Sequence, residues 1–314
     1  MNHKISVPDG SELSYKIWKP EGAPKGIIYL VHGLNESFEY YEEFAETAKK
    51  EAWVVFMHEA RGHGRTAGNP LSKQYFSTAG DAGDQAIDTY REDLFFCINE
   101  AKIQYPKLPL SIVAHSLGTI VTLAFLEKYQ GVADNVILIG TPTPKGKEEY
   151  ERLLEIATRE LNDFGGRTPS NRVYFELFSR VNEHFEGEGS LAFISRDQVL
   201  NAKALEYPFT KVVFNNLFFL NFIKAQQEVY QIENIEKIAK KLPILLLTGS
   251  EDYVTDYSQG LIELGKRLRQ TSHHIDIKIY QGARHSLLRE INRKEITADI
   301  LKWGWENKTD MERC

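Results

Sequence analysis

Two periods organise the apolar and polar positions of this chain. Short, nearly unbroken apolar runs bounded by turn residues fall at 26–31, 53–57, 110–114, 136–139, 243–248 and 275–280. Such runs read as strands covered on both faces. Between them, 38–51, 84–104, 117–129, 257–269 and 287–305 carry apolar residues at helical spacing. An opening hairpin is predicted from 4–7 and 13–18, which flank Pro8-Asp9-Gly10. Strand and helix alternate in the first half and again near the end, which predicts an α/β protein with a mostly parallel sheet flanked by helices. The alternation stops between 141 and 240, where charged helical stretches and Gly/Pro breaks dominate. The pattern therefore predicts a core built from 1–140 and 241–314, with 141–240 as a helical insertion.

In an open parallel sheet, chemistry sits beyond the carboxyl ends of the strands. The run 110–114 leads into Ala114-His115-Ser116-Leu117-Gly118 and then into a helix. A small-x-Ser-x-Gly turn between strand and helix holds its serine in a tight reversal with the hydroxyl exposed. Ser116 is the candidate nucleophile. The strand 243–248 is followed by Asp252, and 275–280 by His285. Serine, acid and histidine in that order, each just past a strand, are the parts of a nucleophile, its general base and the group that orients the base. Glu251 is the neighbouring alternative for the acid. Asp256 is read as a helix-start residue, Asp276 as a strand-face residue, and His273 and His274 as structural. An oxyanion needs two backbone N–H donors. Leu117 follows the nucleophile, and Leu34 lies in the loop after 26–31, which His32 and Gly33 turn and brace.

Composition narrows the partners. A net charge of -6 gives no reason to expect nucleic acid. Two cysteines, Cys97 and Cys314, are too few for a disulfide framework and fit a reduced, cytoplasmic setting. No secretory signal is visible at the start, and no run approaches the ~18 apolar residues of a membrane span. The most apolar stretch, 212–223, is broken by Asn215, Asn216 and Asn221. His58, Glu59 and His63 lack a recurring zinc spacing and are read as loop residues, so no metal and no cofactor are expected.

His32-Gly33-Leu34, Glu59-Ala-Arg61-Gly62-His63-Gly64-Arg65-Thr66, the turn around Ser116, Gly249-Ser-Glu-Asp252 and Gly282-Ala-Arg-His285 stand in the order seen in the α/β-hydrolases. The chain resembles the branch containing monoacylglycerol lipases, lysophospholipases and serine aminopeptidases. Ser195-Arg196-Asp197 and Tyr207-Pro208 also look like a pattern of the lysophospholipase members. Glu59, Thr66 and Ala114 stand where that family usually has Asp, Ser and Gly. The resemblance implies an eight-stranded sheet and an insertion that forms a cap over the site. It implies hydrolysis of a single-chain acyl ester through an acyl-enzyme, with a proline-releasing aminopeptidase or a non-catalytic binding protein as alternatives. Acidic cap residues such as Glu183 and Glu186 would serve the aminopeptidase. Cap aromatics, Phe214, Phe218 and Phe219 among them, are candidates for an acyl pocket or for transient contact with a membrane surface.

Overall fold

The structure, a computed structural model, describes residues 2–72, 75–210, 212–271 and 274–308. His273 and Cys314 lie outside the described residues. The elements in order are β1 (Asn2–Ser6), β2 (Glu12–Trp18), β3 (Gly26–Val31), α1 (Glu42–Lys50), β4 (Trp53–Glu59), α2 (Tyr75–Thr78), α3 (Ala86–Gln104), β5 (Leu110–His115), α4 (Leu117–Lys128) and β6 (Asn135–Ile139). Then follow α5 (Lys147–Phe164), α6 (Arg172–Phe178), α7 (Gln198–Glu206), α8 (Asn216–Val229) and α9 (Ile232–Ile235) without an intervening strand. The sheet resumes with β7 (Ile244–Gly249), α10 (Gln259–Gln270), β8 (Ile275–Tyr280) and α11 (Arg293–Glu306).

Among the described residues, eight strands form one sheet in the order β1-β2-β4-β3-β5-β6-β7-β8. The first two pairings are antiparallel and the rest parallel. β3, β4, β5, β6 and β7 are buried at every position, so both faces must be covered. One core lies under α3, α4 and α10, and the other under α1 and α11. α8 joins the first core through Phe218, Phe219 and Ile223, with Phe214 just before it. At the amino-terminal end of β4, Trp53 meets Trp305 edge-on, with ring centroids 6.2 Å apart.

Most boundaries shift by one or two residues from those expected from sequence, and three of the differences change how nearby residues are read. β4 runs two residues further than 57, so His58 and Glu59 are buried strand residues and not loop residues. A central strand tolerates His58 because its Nδ1 lies 2.7 Å from the Tyr29 hydroxyl. Burial, with His32 nearby, holds the His58 pKa down at about 3. The helix expected at 38–51 opens with a separate turn, Phe38–Tyr40, before α1. The helix expected at 287–305 breaks after Leu287–Arg289, and α11 starts at Arg293. The buried carboxylate of Glu290 causes that break by accepting from the backbone N–H groups of Arg284, Arg196 and Ile291.

No described helix is long and apolar enough to cross a membrane. Among the described residues, no group of three or more His, Cys, Asp or Glu could hold a metal ion.

Candidate active site

The backbone between β5 and α4 holds Ser116 at φ 52°, ψ −121°. A non-glycine residue there carries strain on the order of 1–3 kcal/mol. The reversal is so tight that a Cβ on Gly118 would stand 2.4 Å from the Val31 carbonyl oxygen. Only glycine lets the start of α4 cross the end of β3 at that distance. The strained turn lifts Ser116 out of the buried strand, half-buried, while its N–H stays bonded to the Ile139 carbonyl at 2.9 Å.

Ser116 Oγ lies 2.9 Å from His285 Nε2, and His285 Nδ1 lies 3.0 Å from both Asp252 carboxylate oxygens. These side chains come from the ends of β5, β8 and β7 and are separated by up to 169 residues in sequence. Asp252 is fully buried, and its carboxylate also accepts from the Val254 N–H and the Thr248 hydroxyl. Glu251 is exposed, and the acid that meets His285 is Asp252. Asp256 forms a left-handed turn with Tyr257 and Ser258, at φ 50°, 52° and 74°. The cap position of α10 falls to Ser258 and not to Asp256. Asp276 accepts from the Trp303 indole, and exposed His274 lies 3.6 Å from it.

The loop after β3 approaches the serine from the other side. His32 Nε2 accepts from the Ala60 N–H at 2.9 Å, so Nδ1 carries the proton that goes to the Gly33 carbonyl at 2.8 Å. His32 is thereby a neutral brace between the ends of β3 and β4, and burial pulls its pKa down as that role requires. Leu34 and Leu117 both face the same cavity as Ser116. The Glu59 carboxylate accepts from the Phe38 and Arg65 N–H groups, and Arg61 grips Asp93 through two parallel bonds of 2.8 and 2.9 Å.

That cavity measures about 940 Å³. Phe178, Phe218, Phe219 and Phe222 line one part of it, with the ring planes of Phe218 and Phe222 parallel. Arg180, His184, Tyr253 and Tyr257 line another part. Of the three cap aromatics named from sequence, Phe218 and Phe219 line the cavity. Phe214 does not: it lies behind the wall against His63, with centroids 4.4 Å apart. Sequence spacing alone cannot separate these neighbours, because Phe214 precedes α8 and the other two lie on it. Glu183 is exposed and bound to Arg180, Glu186 is exposed, and neither lines the cavity.

Glu36 and His115, two of the buried polar side chains in the cavity wall, are not singled out by the sequence pattern. They meet at 2.9 Å, and both are 5 % exposed. The usable signal was their place, one inside the turn of the serine and one three residues after Gly33.

Comparison with known proteins identifies the family and the fold. The family model described as serine aminopeptidase, S33, matches residues 22–292. Monoglyceride lipase of Mus musculus is 26% identical over 93% of this chain and 85% of its own length. Monoacylglycerol lipase of Mycolicibacterium smegmatis is 22% identical over 96% and 95%. A highly thermostable carboxyl esterase from Bacillus coagulans, in complex with glycerol, shares the fold at a TM-score of 0.88, with 24% identity and 98% of each chain covered. With its eight-stranded sheet and a family match across most of its length, the chain belongs to the serine aminopeptidase S33 family of α/β-hydrolases.

Proposed function

We propose that the protein hydrolyses a single-chain carboxylic ester, a monoacylglycerol or lysophospholipid, through an acyl-enzyme on Ser116. The Ser116–His285–Asp252 relay opening into a cavity with a phenylalanine wall carries this reading. A serine hydroxyl is a weak nucleophile until a base takes its proton. His285 takes that proton at Nε2 as Ser116 attacks the ester carbonyl, and Asp252 holds the imidazole and offsets the imidazolium charge. The N–H groups of Leu34 and Leu117 receive the oxyanion. His285 then protonates the leaving alcohol, and water repeats the sequence on the acyl-enzyme.

The acyl chain lies along the Phe178–Phe219 side, and the alcohol part faces Arg180, Tyr253 and Tyr257. Residues 1–140 and 241–314 act as the catalytic core, and 141–240 as the substrate-selecting cap. The relatives from Mus musculus and Mycolicibacterium smegmatis are lipases, which favours an ester over the aminoacyl amide of an aminopeptidase.

The test is labelling with a fluorophosphonate, intact mass, and a p-nitrophenyl ester series of increasing chain length. The expected result is one adduct on Ser116, a rate that peaks beyond acetate, and a kcat reduced ~10⁴-fold or more in Ser116→Ala. Labelling with turnover of aminoacyl amides and none of esters would transfer the protein to the peptidases. Absence of both labelling and turnover would leave a binding protein on a hydrolase scaffold.

A further inference from the structure

Glu36 is fully engaged, and each of its bonds goes to a different part of the site. Its Oε2 accepts from the Gly33 N–H at 2.6 Å and from the Tyr41 hydroxyl at 2.5 Å. Its Oε1 faces His115 Nδ1 at 2.9 Å. The opposite ring nitrogen of His115 reaches the carbonyl of His285 at 3.2 Å and the hydroxyl of Ser286 at 3.4 Å. The His115 and His285 rings are 4.7 Å apart. One carboxylate and one imidazole therefore join three chain segments: the loop carrying Leu34, the turn carrying Ser116 and Leu117, and the loop carrying His285. Gly33 shows how closely the parts fit, because a Cβ there would lie 3.0 Å from Glu36 Oε2 and 3.1 Å from His115 Nδ1.

An isolated buried carboxylate is costly, and it persists when its acceptor capacity is filled. Burial pushes the Glu36 carboxyl up. The neighbouring His115 charge and the bonds from His115, Tyr41 and Gly33 outweigh it and hold the pKa at about 2. Burial alone would push His115 down, but the Glu36 carboxylate raises it. The other titratable groups facing the pair are His32, Tyr40, Tyr41, His63, His285 and Asp252.

We infer that Glu36 and His115 form a clasp of positioning residues that fixes the spacing between the two oxyanion donors, Leu34 and Leu117. The inference rests on the ester-hydrolase reading of Ser116. The clasp bonds the Gly33 N–H immediately before one donor, Leu34, and its other member, His115, stands two residues before the second donor, Leu117; neither member is within the Ser116–His285–Asp252 relay. It acts where charge develops in the transition state, so it alters kcat and leaves ester binding nearly unchanged.

The test uses Glu36→Ala, Glu36→Gln and Gly33→Ala in the full chain, with active sites counted by fluorophosphonate titration. Losing one oxyanion donor outright costs about 10²–10³ in kcat, so displacing one by Glu36→Ala should lower kcat per titrated site by about 10²-fold. KM for a p-nitrophenyl ester should stay within about twofold, and the inhibition constant of an alkyl boronic acid, a tetrahedral mimic, should rise in parallel with the kcat loss. Glu36→Gln should recover kcat to within about fivefold of the parent, since an amide oxygen still accepts from Gly33 and Tyr41. Gly33→Ala leaves every polar group in place but wedges the clasp, and should lose about tenfold in kcat with the same KM.

An unchanged kcat per titrated site in Glu36→Ala would overturn the clasp, as would Gln as damaging as Ala. If Glu36→Ala does not fold, Gly33→Ala with an unchanged boronate constant overturns it equally. A parent protein that neither labels nor turns over esters would instead remove the reading of Ser116 itself.

Discussion

The helical insertion meets the site along two sides built on opposite principles. On one side, residues 193–197 lie along the loop that carries His285. The His285 N–H donates to the Phe193 carbonyl at 3.1 Å, and the Ser286 N–H to the Ile194 carbonyl at 2.8 Å. Ser195 Oγ donates to the Arg289 carbonyl, Arg196 binds the fully buried Glu290, and Arg293 reaches Asp197. Arg284, next to His285, bonds the Ala192 carbonyl and Glu188. On the other side stands α6, in which Val173 is buried while Tyr174 and Phe175 are exposed. Its first turn hangs from one acid, Glu160, whose carboxylate accepts from the N–H groups of Asn171, Arg172 and Val173. The insertion is thus bolted where it borders His285, whereas α6 is lightly attached through Glu160 and the single buried side chain of Val173. Local opening of the insertion is expected first at α6, because segments with few buried contacts open at the lowest free energy.

Removing a bolt gives the largest effect. Glu290→Ala leaves Arg196 and the Arg284 N–H without their partner and should cost ~3–5 kcal/mol in urea unfolding, with ester turnover falling because His285 loses its support. Equal stability in parent and variant would erase the distinction between the sides. Ser195→Ala removes a donor to the Arg289 carbonyl and an acceptor for the Asp197 N–H, and should cost about 1–2 kcal/mol by the same measurement. Hydrogen exchange sharpens the contrast without mutation: amides of 172–188 should exchange at least ~10-fold faster than those of 193–197. Phe175→Ser, at a 66% exposed position, should change stability by less than about 0.5 kcal/mol.

Acid should weaken the support of the His285 loop. Glu36 braces the His285 loop through His115, and its folded pKa of about 2 lies below the ordinary value of 4.5. A depressed carboxyl contributes stability above its unfolded pKa and loses it as pH falls through the folded one. The stability advantage of the parent over Glu36→Gln should therefore be full at pH ~6 and shrink as pH falls from about 4.5 toward about 2. His115 runs the other way. Its raised pKa contributes below the unfolded value of 6.5 and is lost as pH rises through the folded one. Urea midpoints at several pH values test both limbs.

Much of this was legible in the chain. Six apolar runs fell on β3 to β8, and five of those strands are buried throughout, a placement that leaves an unbroken apolar signature. That Ser116, Asp252 and His285 would meet was legible because each sits one short loop past such a run. What stayed hidden was side-chain pairing at long sequence range. Glu36 and His115 read singly as a loop acid and a turn histidine, and only the β3–β5 pairing brings them together. Ser195-Arg196-Asp197 read as a family pattern, and its partners Arg289, Glu290 and Arg293 lie nearly a hundred residues away. The break before α11 was hidden for the same reason, since the groups that engage Glu290 come from the insertion and from the His285 loop.

The placement of the indoles has an optical consequence. Trp18 donates to Glu42, Trp53 meets Trp305 at the amino-terminal end of the parallel strands, and Trp303 donates to Asp276. None of the protein's four tryptophans lines the cavity, whereas Tyr174, Tyr253 and Tyr257 do. Intrinsic indole emission is therefore a clean reporter of global unfolding and is dark to occupancy of the site. A ligand that shifts that emission has moved the sheet or its closing helix, and has not merely entered the pocket.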